Sequence, residues 1–172
     1  DHIDHFSSTG IKLESGQDLS ADIIVTATGL QAELLRSYQI SIDGQAVNVA
    51  EQYCYKGMML SGLPNFAFSM GYTNSSWTLK SDLVGQYVCR LINHMDKQQY
   101  DYCQPVLPSE GLEDEPFMDF SSGYIERAQG KLPKQGNIRP WKLYQNYVVD
   151  RISLGLQSVI DDSIVFSSIS RK

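Results

Sequence analysis

The chain has no closed cysteine set. Its three cysteines, Cys54, Cys89 and Cys103, are odd in number and form no C-x-x-C pair. That argues against a disulfide framework and against a zinc site. A reducing, cytoplasmic setting is the expectation, with association to a membrane surface left open. No apolar run approaches the ~20 residues needed to cross a bilayer, and no signal peptide is visible. A basic excess is missing too. The 20 acidic and 14 basic residues leave a net charge of −6, which does not suit a generic nucleic-acid binder. Internal repeats and low-complexity tracts are absent. What is present is 172 residues with 42% hydrophobic content, enough for one ordinary folded domain.

The most informative stretch is residues 65–95. It opens with a short apolar run, Phe66-Ala67-Phe68-Ser69-Met70, which predicts a buried strand. Gly71 breaks the run, and the polar turn Tyr72-Thr73-Asn74-Ser75-Ser76 follows. Apolar residues then recur at Leu79, Leu83, Tyr87, Leu91 and Met95, with Val84, Val88 and Ile92 beside them. That spacing predicts a helix with one buried face. The first turn of such a helix carries unpaired N–H groups and partial positive charge. Asn74, Ser75, Ser76 and Thr78 are residue types that serve as helix caps. A strand–glycine–helix junction lies where α/β sheets bind ligands, although many such junctions bind none.

Elsewhere the signals are shorter. Residues 2–6 and 10–14 alternate like strands, and residues 15–18 predict the turn of a hairpin. His2 and His5 sit on opposite faces of a strand with no ligand set around them, and read as surface histidines. Ile23-Ile24-Val25 is a β-branched run of the kind found in a parallel strand covered on both sides, ending in Ala27-Thr28-Gly29. Residues 32–38 suit a short helix, and Asp43-Gly44 suits a hairpin turn. Residues 55–60 read as one strand, with Met58 and Met59 as core filler. Cys89 reads as a small packing residue. Residues 97–120 hold Pro105, Pro108, Pro116 and an acidic cluster, and predict an irregular, solvated connection. A short helix over 121–129, a basic loop over 131–140, a helix over 141–156 and a last strand over 163–166 complete the reading.

Taken together, two stretches resemble a known family. LSADIIVTATGL, then YKGMMLSGLPNFAFSMGYTNSSWTLKSDLVGQYVCRLI, are similar to the flavin-containing and type I Baeyer–Villiger monooxygenases. The branch resembled is that of the ethionamide monooxygenase-like enzymes, and KLPKQGNIRPWKLYQNY fits it as well. The resemblance covers nearly the whole chain. The D-x-x-x-x-A-T-G run alone is shared with other flavoproteins, so the second stretch carries the likeness. The resemblance implies an α/β fold, the C-terminal portion of a Rossmann-like flavoprotein that binds two dinucleotides, FAD and NADPH. Residues 1–21 would end the NADPH-binding domain, 22–96 would belong to the FAD-binding domain, and 97–172 would form a C-terminal extension. Ala27, Thr28 and Gly29 would lie near the dinucleotide crossover. Tyr72, Asn74, Ser75, Ser76, Trp77, Thr78 and Leu79 would line the flavin. Trp77 would either wall the cavity or pack as a core aromatic under the turn.

The implied chemistry is NADPH-driven insertion of one oxygen atom from O2, through a flavin C4a-peroxide. The substrate would be a ketone, giving an ester, or a sulfur or nitrogen centre. G-x-G-x-x-G does not occur, nor does the family fingerprint around a histidine and tryptophan. Arg36, Arg90, Arg127, Arg139 and Arg151 match no catalytic motif. The expectation is therefore a fragment, inactive alone, whose missing partner is the preceding part of the same chain. The competing readings are a flavin-dependent reductase of the same fold, for which the cysteines supply no redox pair, and a non-catalytic α/β binding module.

Overall fold

The computed structural model describes residues 1–29, 35, 38–117, 128 and 130–169. The chain divides into two compact units, Asp1–Leu30 and Gln31–Lys172. The helices expected over 32–38 and 121–129 fall almost wholly outside the described residues.

The first unit is a three-stranded antiparallel meander of β1 (Ile3–Ser7), β2 (Gly10–Leu13) and β3 (Asp18–Ser20). The predicted hairpin is present, with Ile11 facing Leu19 and Lys12 facing Asp18. His2 and His5 are exposed, and His5 Nδ1 lies 3.0 Å from Asp4. The strand expected over 22–29 is not formed. These residues pair with no strand among the described residues, and Ile23 and Val25 are each 82% exposed. A β-branched run favours the extended backbone, but only a neighbouring strand satisfies its amides and covers its side chains.

The second unit is organised on one long helix. Small hairpins precede it: β4 (Ser41–Ile42) with β5 (Gln45–Ala46), turned at Asp43-Gly44 as predicted, then a 3-10 turn at Val49–Glu51. Residues 54–60 depart from the single strand expected. They form β6 (Cys54–Tyr55) and β7 (Met59–Leu60), folded back on each other with Tyr55 facing Met59. Lys56 and Gly57, at φ 50° and 72°, supply the left-handed backbone that reverses the chain. Met58 and Met59 are both buried. Residues 66–70 make no sheet ladder either. One amide bond, Phe68 N–H to the Met58 carbonyl at 2.8 Å, holds the segment, and only Met70 is buried. The expected buried strand is thus an extended, half-covered lead-in to the helix.

Helix α1 (Trp77–Gln98) follows the predicted periodicity, burying Lys80, Leu83, Val84, Tyr87 and Leu91. It ends where Gln99 turns left-handed at φ 57°, and the Tyr100 N–H bonds the Met95 carbonyl at 3.0 Å. Cys89 is exposed rather than packed, because it lies off the buried stripe. The later chain covers α1. Strand β8 (Tyr102–Pro105) pairs with β11 (Ile164–Ser167), so the predicted last strand is present. Strand β9 (Asp114–Pro116) pairs with β10 (Lys134–Gly136), giving order to stretches that read as irregular. The helix expected over 141–156 shrinks to α2 (Tyr147–Asp150), which continues as a π-helical turn at Arg151–Leu156. Residues 141–146 lead into it as loop, and Asn146 caps it by accepting from the Val148 and Val149 amides. The Arg90 guanidinium in turn donates to the Leu154 and Gln157 carbonyls, closing the end of the π turn. The main core joins Tyr55, Met58, Leu83, Tyr87, Leu91, Trp141, Leu154 and Ile164. Among the described residues, no helix is long and apolar enough to cross a membrane.

Candidate flavin corner

The corner between Met70 and α1 is built by a close approach. A Cβ on Gly71 would lie 2.1 Å from Trp77 Cγ and 2.5 Å from Trp77 Cα, so only glycine lets the chain pass the start of the helix. Tyr72 next turns inward and is almost fully buried. Its hydroxyl donates to Asp150 Oδ2 at 2.8 Å, and burial beside that carboxylate pushes its pKa well above the ordinary tyrosine value. From residue 73 to residue 79 every side chain is exposed, Trp77 by 62% and Leu79 by 39%.

The amino terminus of α1 is open. Ser76 occupies the cap position but makes no side-chain cap bond, and the first turn holds no acidic residue. The Ser76 hydroxyl instead lies 2.8 Å from the Thr78 hydroxyl. A helix of this length with an uncapped start keeps its N–H donors and its partial positive charge available to an outside acceptor. The space behind the corner, bounded by Gly57, Gly71, Lys80 and Gln145, is only about 20 Å³. That is room for a single water. A planar ring does not fit in that space.

Behind the corner sits a buried ion pair. The Lys80 ammonium donates to Asp150 Oδ2 at 2.7 Å, the same oxygen that accepts from Tyr72. Sequence reasoning missed both partners. A signal for Lys80 was available: it shares the helical stripe of Leu83, Val84 and Tyr87, where a charge must find a partner. Asp150 had no such signal, since the contact spans 70 residues of sequence. The Lys80 charge also reaches Cys54, whose thiol is nonetheless pushed up to about 12 by burial.

A larger cavity of about 420 Å³ shares Leu143, Tyr144 and Asp150 with this corner and is bordered by Lys56, Trp141 and Asp161. At its edge Lys56 and Tyr55 both bond Asp161 Oδ2, at 2.9 and 2.7 Å, and the Tyr55 hydroxyl lies 3.3 Å from that of Tyr87. The Trp141 indole N–H is buried without a partner.

Of the sequence-predicted residues, Asn74, Ser75, Ser76, Trp77, Thr78 and Leu79 share one exposed stretch, whereas Tyr72 points inward to Asp150 and is not placed to line a ring there. The exposure of Trp77 leaves no place for it as a core aromatic. Ala27, Thr28 and Gly29 belong to the first unit, where they are exposed and outside any strand, with Gly29 left-handed at φ 84°.

The corner is thus an open helix start reached over a tight glycine and fronted by small polar residues. Along almost its whole length the chain is a relative of FAD-containing monooxygenases. The FAD-containing monooxygenase EthA of Mycobacterium tuberculosis is 51% identical over 162 residues, 94% of this chain and 33% of the relative. EthA of Mycolicibacterium smegmatis is 47% identical over 97% of this chain and 34% of the relative. A protein of Acinetobacter baylyi named as an FAD-binding monooxygenase, AlmA, is 46% identical over 90% of this chain and 31% of its own length. The resemblance drawn from the residues is borne out. The chain spans about a third of the length of the curated relatives it matches. No family model and no solved structure matches it.

Proposed function

We propose that the chain is part of an FAD- and NADPH-dependent monooxygenase, and that the corner at residues 73–79 holds the pyrimidine edge of the flavin. The observation that carries this reading is the uncapped amino terminus of α1, which faces outward with no acidic residue in its first turn. It stands in a chain about half identical to proteins named for FAD. Bound FAD supplies the electron transfer and the activation of O2. The residues of this chain have narrower tasks. The N–H groups of Thr78 and Leu79 would hold the pyrimidine edge, the part of the ring that carries negative charge on reduction. The helix dipole stabilises that charge by about 0.3–2 kcal/mol. Trp77, projecting from the helix start, walls the ring and excludes water. Asn74, Ser75 and Ser76 would frame the edge. The substrate is a small molecule oxidised with O2, a ketone giving an ester ahead of a sulfur or nitrogen centre.

The test is purification of the full-length protein that carries this chain, followed by product analysis with NADPH, a ketone and a thioether. Flavin absorbance with ester formation supports the reading. A colourless protein that oxidises neither substrate refutes it. Abundant sulfoxide without ester reverses the order of substrates.

A further inference from the structure

We propose that Gln145 is a positioning residue for the flavin corner, acting through the backbone of Thr73 and the side chain of Asn74. The inference rests on the flavin reading of that corner. Gln145 lies in the loop ahead of α2, far from the corner in sequence. Its side-chain oxygen accepts from the Thr73 N–H at 3.1 Å and from the Thr73 hydroxyl at 3.3 Å. Its backbone carbonyl accepts from Asn74 Nδ2 at 3.2 Å. One residue therefore engages three donors of the polar turn that leads into α1.

The backbone makes this double engagement possible. Gln145 stands at φ 48°, a left-handed conformation that a non-glycine residue holds only where its surroundings over-determine it. That conformation aims carbonyl and side chain at the same turn. Both flanks of the residue are fixed independently. Upstream, Leu143 N–H donates to Gln135 Oε1 at 2.8 Å. Downstream, Asn146 caps α2, and Asp150 takes the buried Lys80 and Tyr72 donors. The side chains of residues 73–76 are exposed, and Ser76 gives the helix no cap bond. Such a turn needs external bracing if the first-turn N–H groups are to meet a ring at fixed distance, and preorganised donors stabilise charge only when they are already in place. Gln145 supplies the bracing.

The experiment uses the full-length, FAD-loaded protein and three variants, reading the FAD dissociation constant, the flavin midpoint potential and the melting temperature. Gln145→Ala removes the two side-chain bonds. It is expected to weaken FAD binding about five- to tenfold, as loss of about one net hydrogen bond implies, and to lower the midpoint potential because the reduced ring loses fixed donors. Gln145→Glu keeps a side-chain acceptor oxygen for Thr73 and should restore FAD affinity to within about twofold of wild type, while its added negative charge should leave the midpoint potential below that of wild type. Thr73→Val drops only the hydroxyl and should shift both readouts in the direction of the alanine variant, by less. It keeps the test alive if the alanine variant does not fold. A wild-type protein that carries FAD, with Gln145→Ala and Thr73→Val matching it in affinity and potential, overturns the inference alone. A wild type that binds no FAD overturns the flavin reading beneath it.

Discussion

Residues 22–29 and residues 77–91 are both rich in apolar side chains, and they meet opposite fates. Ile23 and Val25 stand 82% exposed, while Leu83, Tyr87 and Leu91 are almost completely buried. The helix satisfies its own backbone and needs only side chains to cover its stripe. The chain beyond residue 140 brings them, as Trp141, Leu154 and Ile164. A strand has no such independence, because all of its ladder hydrogen bonds must come from neighbouring strands. The lesson is that patterning alone is enough to form α1, whereas the apolar runs at 23–25 and 66–70 acquire structure only where a partner backbone pairs with them.

The largest effect that sharpens this contrast lies at the ion pair behind the corner. Asp150→Ala leaves the buried Lys80 ammonium and the Tyr72 hydroxyl without their shared acceptor. The expected loss is about 3–5 kcal/mol, read from urea denaturation. The double variant Lys80→Met with Asp150→Leu should recover much of it. A loss below about 1 kcal/mol for Asp150→Ala, the range of a solvated pair, would mean the pair is not buried. Next comes the covered face of α1. Leu83→Ala should cost about 2–5 kcal/mol through lost burial and the cavity left behind.

The third effect is a pH dependence. Burial raises the Cys54 thiol from 9.0 to about 12, so the folded state keeps a proton that the unfolded state releases. The stabilising difference is fully present below pH 9 and is lost as the pH rises toward 12. At one unit above the unfolded value the loss from this group is about 1.4 kcal/mol. The buried Tyr72 and Tyr55 hydroxyls push in the same direction at higher pH. Cys54→Ala should flatten the lower part of that alkaline decline, and an unchanged profile would remove Cys54 as its cause. The smallest effect completes the comparison. In this 172-residue chain, Ile23→Ser and Val25→Ser should change stability by less than about 0.5 kcal/mol, as exposed positions do. A loss above about 1 kcal/mol would show that the segment is covered after all.

How much of this was legible in the sequence follows the same physical line. Local rules found α1 by its period, the Asp43-Gly44 hairpin by its turn residues, and the strand at 164–167 by its β-branched run. They failed at Lys56-Gly57, where a left-handed lysine reverses what reads as a continuous strand. They also failed over 141–146, where apolar spacing suggested helix but Gln145 turns left-handed to meet Thr73 and Asn74. The polar turn at 73–76 leading into α1 was legible because its residues are contiguous. Gln145 and Asp150, which brace that stretch, were not, because their partners lie about 70 residues away in sequence; Lys80 could have been read from its place on the buried stripe.

The central claim is most directly tested by a structure of the full-length protein with FAD bound. The account predicts the pyrimidine edge of the ring within hydrogen-bonding distance of the Thr78 and Leu79 amides, on the exposed side of residues 73–79. A flavin bound elsewhere, or a first turn of α1 occupied by the protein's own acceptors, would contradict it.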